Sequence, residues 1–313
     1  MVTMGSARGR AGYALLATLW ICMGIAALAS VISLSAREAI ASSRNRMALT
    51  VGRWLAEACL TTERETIRDA LAQEYLAALD SSGSVWNYID RVLAEHSPQV
   101  AGCSVSARSV GSHLDVNATD EGALSRVLQA AGWRPTRADS AAAALADWKD
   151  ADDTPRPNGA ERDWYLAHGR EPPSNSPLVN HAELARVRGF ETDSSGRVDS
   201  ILDVEPGAIA LNQAPREVLA QLPGFTDFTT REVLDQRARG VPVTAFIQLR
   251  PWLDPNVPNA SAKLPGLILL TPQAWIVTAR LRTGHPSVTT VIELRLARAD
   301  RNTVVTRRRT WIE

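Results

Sequence analysis

The chain has 313 residues, of which 45% are hydrophobic, and its 34 basic and 34 acidic side chains give a formal net charge of +0. That length allows more than one domain, and the apolar content is ample for sizeable cores. The charge balance excludes any global pull toward nucleic acid or an anionic surface.

Near the N-terminus Arg8 and Arg10 precede Gly12, and from Tyr13 an apolar run without charge reaches Leu34. As a helix this run spans roughly 33 Å, enough to cross a hydrocarbon core of about 30 Å. The basic flank puts the N-terminus in the cytoplasm and the bulk of the chain across the membrane. Three readings fit the run. A secretory signal would end near Ala27-Leu28-Ala29-Ser30, although apolar residues continue past it. A plain membrane anchor fits the length. The third follows from order: basic residues, Gly12, an aromatic Tyr13 and the apolar run resemble a type IV prepilin leader. In that family a dedicated peptidase cuts after the glycine and leaves the helix attached. Most pilins carry a glutamate at the fifth mature position, where this chain has Ala17. A carboxylate in hydrocarbon is costly unless it meets a cation. A subunit without it is a poor repeating unit but can sit at a filament end.

The helix is predicted to continue from Ala36 to Asp80, a stretch without proline. Met47, Val51, Trp54, Leu55 and Ala58 form one stripe at helical spacing, and Ile67, Leu71, Tyr75 and Leu79 form a second. Ser81-Ser82-Gly83-Ser84 ends it, and a short helix follows over Val85 to Glu95. Weak alternation around Val105, Val110, Leu114 and Val116 predicts a hairpin turning near Gly111. Of the 3 cysteines, Cys22 lies in the apolar run. Cys59 and Cys103 would both face an oxidising compartment, where they are either a disulfide or two buried thiols.

An internal repeat begins at Asn117. Leu114-Asp115-Val116-Asn117 leads into a helix containing Leu124, and Ile209-Ala210-Leu211-Asn212 leads into another containing Leu219. Each reads as a short strand, an Asn placed to cap, and a helix. The second copy continues through Pro215 and a tight Pro223-Gly224 turn to a helix over Thr229 to Arg239, and Leu184 to Phe190 is a partial echo. This is a helix-hairpin-helix pattern. Such units often bind DNA through two glycines and nearby basic residues. Here the second glycine is missing and Asp227 lies where phosphate would sit, so nucleic acid is not expected as a partner. A protein-interaction role fits better. Pro251 to Pro265 reads as a linker, and Trp275 to Leu281, Val288 to Leu296 and Thr303 to Ile312 as three strands. Arg307-Arg308-Arg309 reads as a solvated sheet edge.

Between the repeats lies Asp147-Trp148-Lys149-Asp150-Ala151-Asp152-Asp153-Thr154-Pro155, followed by Gly159-Ala160-Glu161 and Tyr165. With the leader, Ala17, both Asn-initiated repeats and the terminal Trp-Ile-Glu, this segment resembles the K-type minor pseudopilins of type II secretion over nearly the whole chain. The resemblance implies an α+β fold with a long N-terminal helix, an antiparallel sheet, and an inserted all-helical domain with two helix-hairpin-helix (SAM-like) repeats. The implied divisions are a leader over 1–12, a transmembrane part over 13–34, a pilin-like domain over 35–116 and 266–313, and an insertion over 117–265. Members of the family bind calcium in the helical domain, which makes Asp147, Asp150, Asp152, Asp153 and Glu161 candidate ligands. The chemistry agrees, since calcium takes six to eight oxygens and favours carboxylates on a bending loop. A solvated acidic loop whose Asp residues cap helices is the alternative.

The function implied is structural. The subunit would join I- and J-type minor pseudopilins, with an H-type subunit as a further contact, at the tip of a periplasmic pseudopilus. It would be processed by prepilin peptidase, meet the inner-membrane secretion platform and secreted proteins, and cross the inner membrane once. A pilus-assembly or DNA-uptake component is the alternative. The histidines show no H-E-x-x-H spacing, and no G-x-S-x-G or P-loop occurs, so no catalytic residue is assigned.

Overall fold

The computed structural model describes residues 9–79, 102–191, 197–284, 287–299 and 302–313. Helix α1, Gly9–Leu79, is a single helix of 71 residues. The strands in chain order are β1 (Cys103–Ser109), β2 (Leu114–Asp115), β3 (Leu202–Asp203), β4 (Ile209–Ala210), β5 (Ile268–Leu269), β6 (Ala274–Thr283), β7 (Val288–Ala299) and β8 (Asn302–Ile312). An antiparallel four-stranded sheet has the order β1-β6-β7-β8. The expected helix over 85–95 and the Ser-rich stop at 81–84 lie outside the described residues.

Alternation along the strands gives this sheet two different faces. Trp275, Val277, Ala279 and Leu281 of β6 and Ile292, Leu294 and Leu296 of β7 pack with Ala56, Cys59, Leu60, Ile67 and Ala70 of α1 into one core. Ile67 of the second expected stripe lies in this core, whereas the face used before it differs from the first stripe. Met47, Val51, Trp54 and Leu55 are exposed, Trp54 at 72%. The buried face begins instead at Gly52, where a Cβ would meet the Thr283 and Thr290 hydroxyls at 2.9 Å each. Close approach at Gly52 and Ala56 requires small side chains, so the first turns of the contact face carry little hydrophobicity to reveal it, and the bulky contacts come later, at Leu60 and Ile67.

The hairpin predicted to turn near Gly111 does not form among the described residues. Strand β1 pairs with β6, and β2 pairs in parallel with β3. At Gly111 (φ 85°) the chain leaves the sheet, and Ala210 N–H donates to the Gly111 carbonyl at 2.8 Å. A Cβ at 111 would collide with the Ala208 carbonyl. The turn therefore docks against a later crossing of the chain and does not return β1 on itself.

Residues 114–268 build a second, larger core around Leu128, Leu145, Tyr165, Leu211 and Leu249. It is not all-helical, because two short parallel strand pairs, β2–β3 and β4–β5, lie within it. Nor do the two Asn residues cap helices. The cap of the helix Glu121–Ala130 is Asp120, which accepts from Ala123 N–H. Asn117 instead donates to the Leu178 carbonyl and accepts from Leu178 N–H, both at 2.9 Å. Asn212 does the same to Val243, donating at 2.9 Å and accepting at 3.1 Å. Five residues beyond each clamped position, Glu183 and Gln248 accept from the backbone N–H groups of Asn180 and Ala245 at 3.0 Å each. Val116 N–H bonds the Asp203 carbonyl, and Leu211 N–H bonds the Leu269 carbonyl, at 2.9 Å each. The internal repeat is thus a repeated set of ties, each pinning the start of a unit to its middle and its end. The segment expected as a linker after Pro251 contains the helix Ala260–Lys263 and buries Leu264.

The second face of the sheet holds the insertion through charge. Asp203 pairs with Arg108 of β1. Glu205, 3% exposed, pairs with Arg307 and lies 3.7 Å from Arg295 and 3.9 Å from Arg309. Glu293 of β7 also contacts Arg307 at 3.3 Å and Arg309 at 3.7 Å. Arg308, on the opposite face, pairs with Glu57 of α1. The arginine run is therefore no solvated edge. Its members alternate between the insertion and the helix and bind both to β8. Removing one partner of a buried, multiply paired charge is strongly destabilising. Glu205→Gln should lower the unfolding free energy of the full chain in detergent micelles by about 3 kcal/mol. A urea titration showing less than about 0.5 kcal/mol, the level of an exposed pair, would contradict the clamp.

Candidate functional site

The helix Pro135–Lys149 opens with proline in its first turn, where a missing N–H costs nothing. Its inner face buries Ala141, Ala142, Leu145 and Trp148, and the same face carries Asp147, which is 0% exposed. The helix stops at Lys149, whose Nζ donates to the carbonyls of Val116 at 2.6 Å and Thr119 at 3.0 Å. Asp150 then takes extended backbone as the C-cap. The following loop folds back over Asp147. Arg156 N–H donates to both Asp147 oxygens at 3.3 Å, and Gly159 N–H donates to the Arg156 carbonyl at 2.9 Å. Gly159 passes so close that a Cβ there would collide with Asp147 Oδ2. The loop is fastened outside by Ser140 Oγ to the Asn158 carbonyl and Arg188 Nη1 to the Gly159 carbonyl, each at 2.9 Å. Tyr165 stands behind it, its ring against Trp148 at 5.2 Å and its hydroxyl accepting from Arg188 N–H at 3.0 Å.

This return brings Glu161 into the fold. One carboxylate oxygen from each of Asp147, Asp150 and Glu161 lies within 4.8 Å of the others. Arg156 Nη1 donates to Asp147 Oδ1 at 2.7 Å and to Asp150 Oδ2. Glu161 is 3% exposed, and neither of its oxygens has a hydrogen-bond partner among the described residues; Asp150 Oδ1 is in the same position. Burial, and then the charges of Asp147, Asp150 and Asp153, push the Glu161 carboxyl up to about 7. Three carboxylates thus crowd one pocket while one guanidinium answers two of them.

Of the five carboxylates singled out in the sequence, the structure brings these three together. Asp152 accepts from Thr154 N–H at 2.8 Å, a local turn. Asp153 accepts from Asn175 Nδ2 at 3.1 Å and reaches Glu161 only through its charge. One participant, Arg156, and one neighbour of the loop, Asn175, escaped the sequence reading. Arg156 was hidden because an arginine in an acidic loop reads as a solvated charge. Asn175, whose buried Oδ1 has no partner among the described residues and whose φ is 46°, carries no spacing signal. The donors are all oxygen, which suits a hard cation and not zinc or copper. Calcium fits this set, with Asp147, Asp150 and Glu161 as the residues that would hold it.

Elsewhere, Tyr13 lies exposed near the start of α1, and Gly12 is part of the same helix. The Cα atoms of Cys59 on α1 and Cys103 on β1 lie 6.9 Å apart. Among the described residues one helix is long and apolar enough to cross a membrane, and its apolar window is not buried.

The raised Glu161 pKa has a defined sign. The folded chain holds this proton more tightly than the unfolded chain, whose ordinary value is 4.5. Without divalent ions, stability should therefore fall as pH rises from about 4.5 to about 7, and the loss is complete above that. Glu161→Gln should remove this slope and be more stable than the wild type at pH 8 by about 1–3 kcal/mol. Urea titrations in chelator at pH 5 and pH 8 check it, and parallel pH profiles for the two chains would contradict it.

Residues 105–206 match the family model described as type II secretion system (T2SS), protein K. No curated protein sequence matches the chain. Among solved structures, a chain of the GspK-GspI-GspJ complex from the enterotoxigenic Escherichia coli type 2 secretion system aligns with a TM-score of 0.63 at 16% identity. The alignment covers 86% of this chain and 99% of that one, and at this identity it speaks for the fold. The matched residues run from within β1 to just past Glu205, and the model they match is that of the family that the acidic loop and the N-terminal run resemble in sequence.

Proposed function

We propose that this chain is a minor pseudopilin of type II secretion that works as a structural subunit at the tip of the pseudopilus. The observation that carries the reading is the match of residues 105–206 to the protein K family model. Supporting it, α1 continues the apolar surface of its membrane segment outward. Met47, Val51, Trp54 and Leu55 are exposed on the side away from the sheet. Apolar residues at helical spacing on a helix already packed on its other face suit contact with further helices. The solved complex of similar fold contains GspI and GspJ, and I- and J-type subunits are the partners proposed here. The insertion, mounted on the sheet face opposite α1, would widen the subunit and obstruct another stacked above it, which suits a terminal position. Calcium at Asp147, Asp150 and Glu161 would stabilise that insertion. The paired units of the insertion are proposed as helix-hairpin-helix modules serving protein contacts, and Cys59–Cys103 as a disulfide formed in the periplasm, with the leader cut after Gly12 by prepilin peptidase.

Co-expression of the full chain with candidate I- and J-type subunits should yield a stable ternary complex in detergent, and Trp54→Glu should weaken it while leaving the fold intact by circular dichroism. A full chain that stays monomeric with both partners would sink the tip assignment. Mass spectrometry of the protein from cells with prepilin peptidase should find a mature chain beginning at Tyr13. A chain still beginning at Met1 would refute processing.

A further inference from the structure

We propose that Arg156 is a resident cation that competes with a divalent ion for Asp147 and Asp150, so that ion binding at this cluster is an exchange and not an addition. The inference rests on the calcium reading above. Arg156 Nη1 bridges the two aspartates, 2.7 Å from Asp147 Oδ1 and in contact with Asp150 Oδ2. Calcium bridges carboxylates at about 2.3–2.6 Å from each oxygen. A guanidinium nitrogen and an ion at nearly the same distances from the same two carboxylates exclude one another by size and by charge.

The arginine does only part of an ion's work. It bonds two carboxylates and leaves both oxygens of the buried Glu161, and Asp150 Oδ1, without partners among the described residues. Its fixed donor geometry directs Nη1 to two acceptors, whereas calcium can gather six to eight oxygens around one centre. The arginine therefore keeps the loop closed at low ion concentration, and the orphaned oxygens supply the drive for exchange.

The displaced side chain has a place to go. The Arg156 side chain is 37% exposed, and its Nε lies 3.8 Å from Oε2 of Glu121, itself half-exposed on the neighbouring helix. Release costs little desolvation, because the guanidinium moves toward water and toward a waiting carboxylate. Its backbone N–H can remain on Asp147, so the loop need not open.

The test is calcium titration calorimetry on the full chain in detergent micelles at pH 7.5, comparing the wild type with Arg156→Gln, Glu121→Gln and Glu161→Gln. Thermal melts in chelator accompany it. Exchange requires Arg156→Gln to melt lower than the wild type without calcium yet bind calcium at least about tenfold more tightly. Removing the receiving carboxylate in Glu121→Gln should weaken calcium binding by about twofold to fivefold. An Arg156→Gln chain that binds calcium equally or more weakly, while Glu161→Gln abolishes binding, would leave the calcium reading standing and overturn the exchange. Folded wild-type and Arg156→Gln chains that both ignore millimolar calcium would overturn the calcium reading, and the exchange with it. If Arg156→Gln does not fold, Glu121→Gln decides: wild-type affinity in that variant overturns the proposal.

Discussion

Glu205 lies almost wholly buried among arginines of a sheet to which it does not belong. Everything on the outer side of the molecule depends on that placement. A desolvated carboxylate is tolerable only where cations meet it, and Arg295, Arg307 and Arg309 reach it from two adjacent strands. Asp203 repeats the arrangement at the other side of the sheet with Arg108. The segment between these two acids ends the first unit of the insertion, so its position fixes where the whole insertion sits. Because β8 alternates, Arg308 points the other way and secures α1 through Glu57. One strand thereby joins α1 and a distal domain that share no core.

The acidic loop obeys the opposite rule. At Glu205 cations outnumber the buried acid, whereas at Glu161 acids outnumber the single arginine. The surplus appears as a carboxyl pushed up to about 7 and as buried oxygens without partners among the described residues. A fold retains such a surplus only when surrounding bonds hold it in place, and here the Ser140, Arg188 and Tyr165 contacts do so from outside the cluster. The two sites share their residue types and differ in the balance of acids and arginines.

Much of the fold was legible in the sequence because its strongest signals are long. An apolar run followed by a proline-free stretch gives α1, and runs rich in valine, isoleucine and threonine give β6, β7 and β8. The failures are local and physical. Met47, Val51 and Trp54 looked like a core stripe, yet the sheet is approached through Gly52, Ala56 and Cys59, where closeness rules out bulk. Asn117 and Asn212 looked like caps, because a cap and a clamp on distant backbone use the same amide. Only the second fits their bonds to Leu178 and Val243. Asp147, Asp150 and Glu161 entered as candidates through the family resemblance, with spacing that agreed, and the fold brings them together; Arg156 carried no such signal, since only geometry separates a solvated arginine from one inserted between carboxylates.

Those asparagine clamps bear on how the insertion can change over evolution. Asn117 grips a residue 61 positions away and Asn212 one only 31 positions away, with the same bonds. A unit held at its beginning, middle and end is indifferent to how much chain runs between the pins, since the entropic cost of a longer loop grows only logarithmically. The first unit is the longer one, and its extra chain holds the acidic loop and the helix that returns from it. New chemistry could thus be added to one copy while the other, left short, preserved the shared geometry.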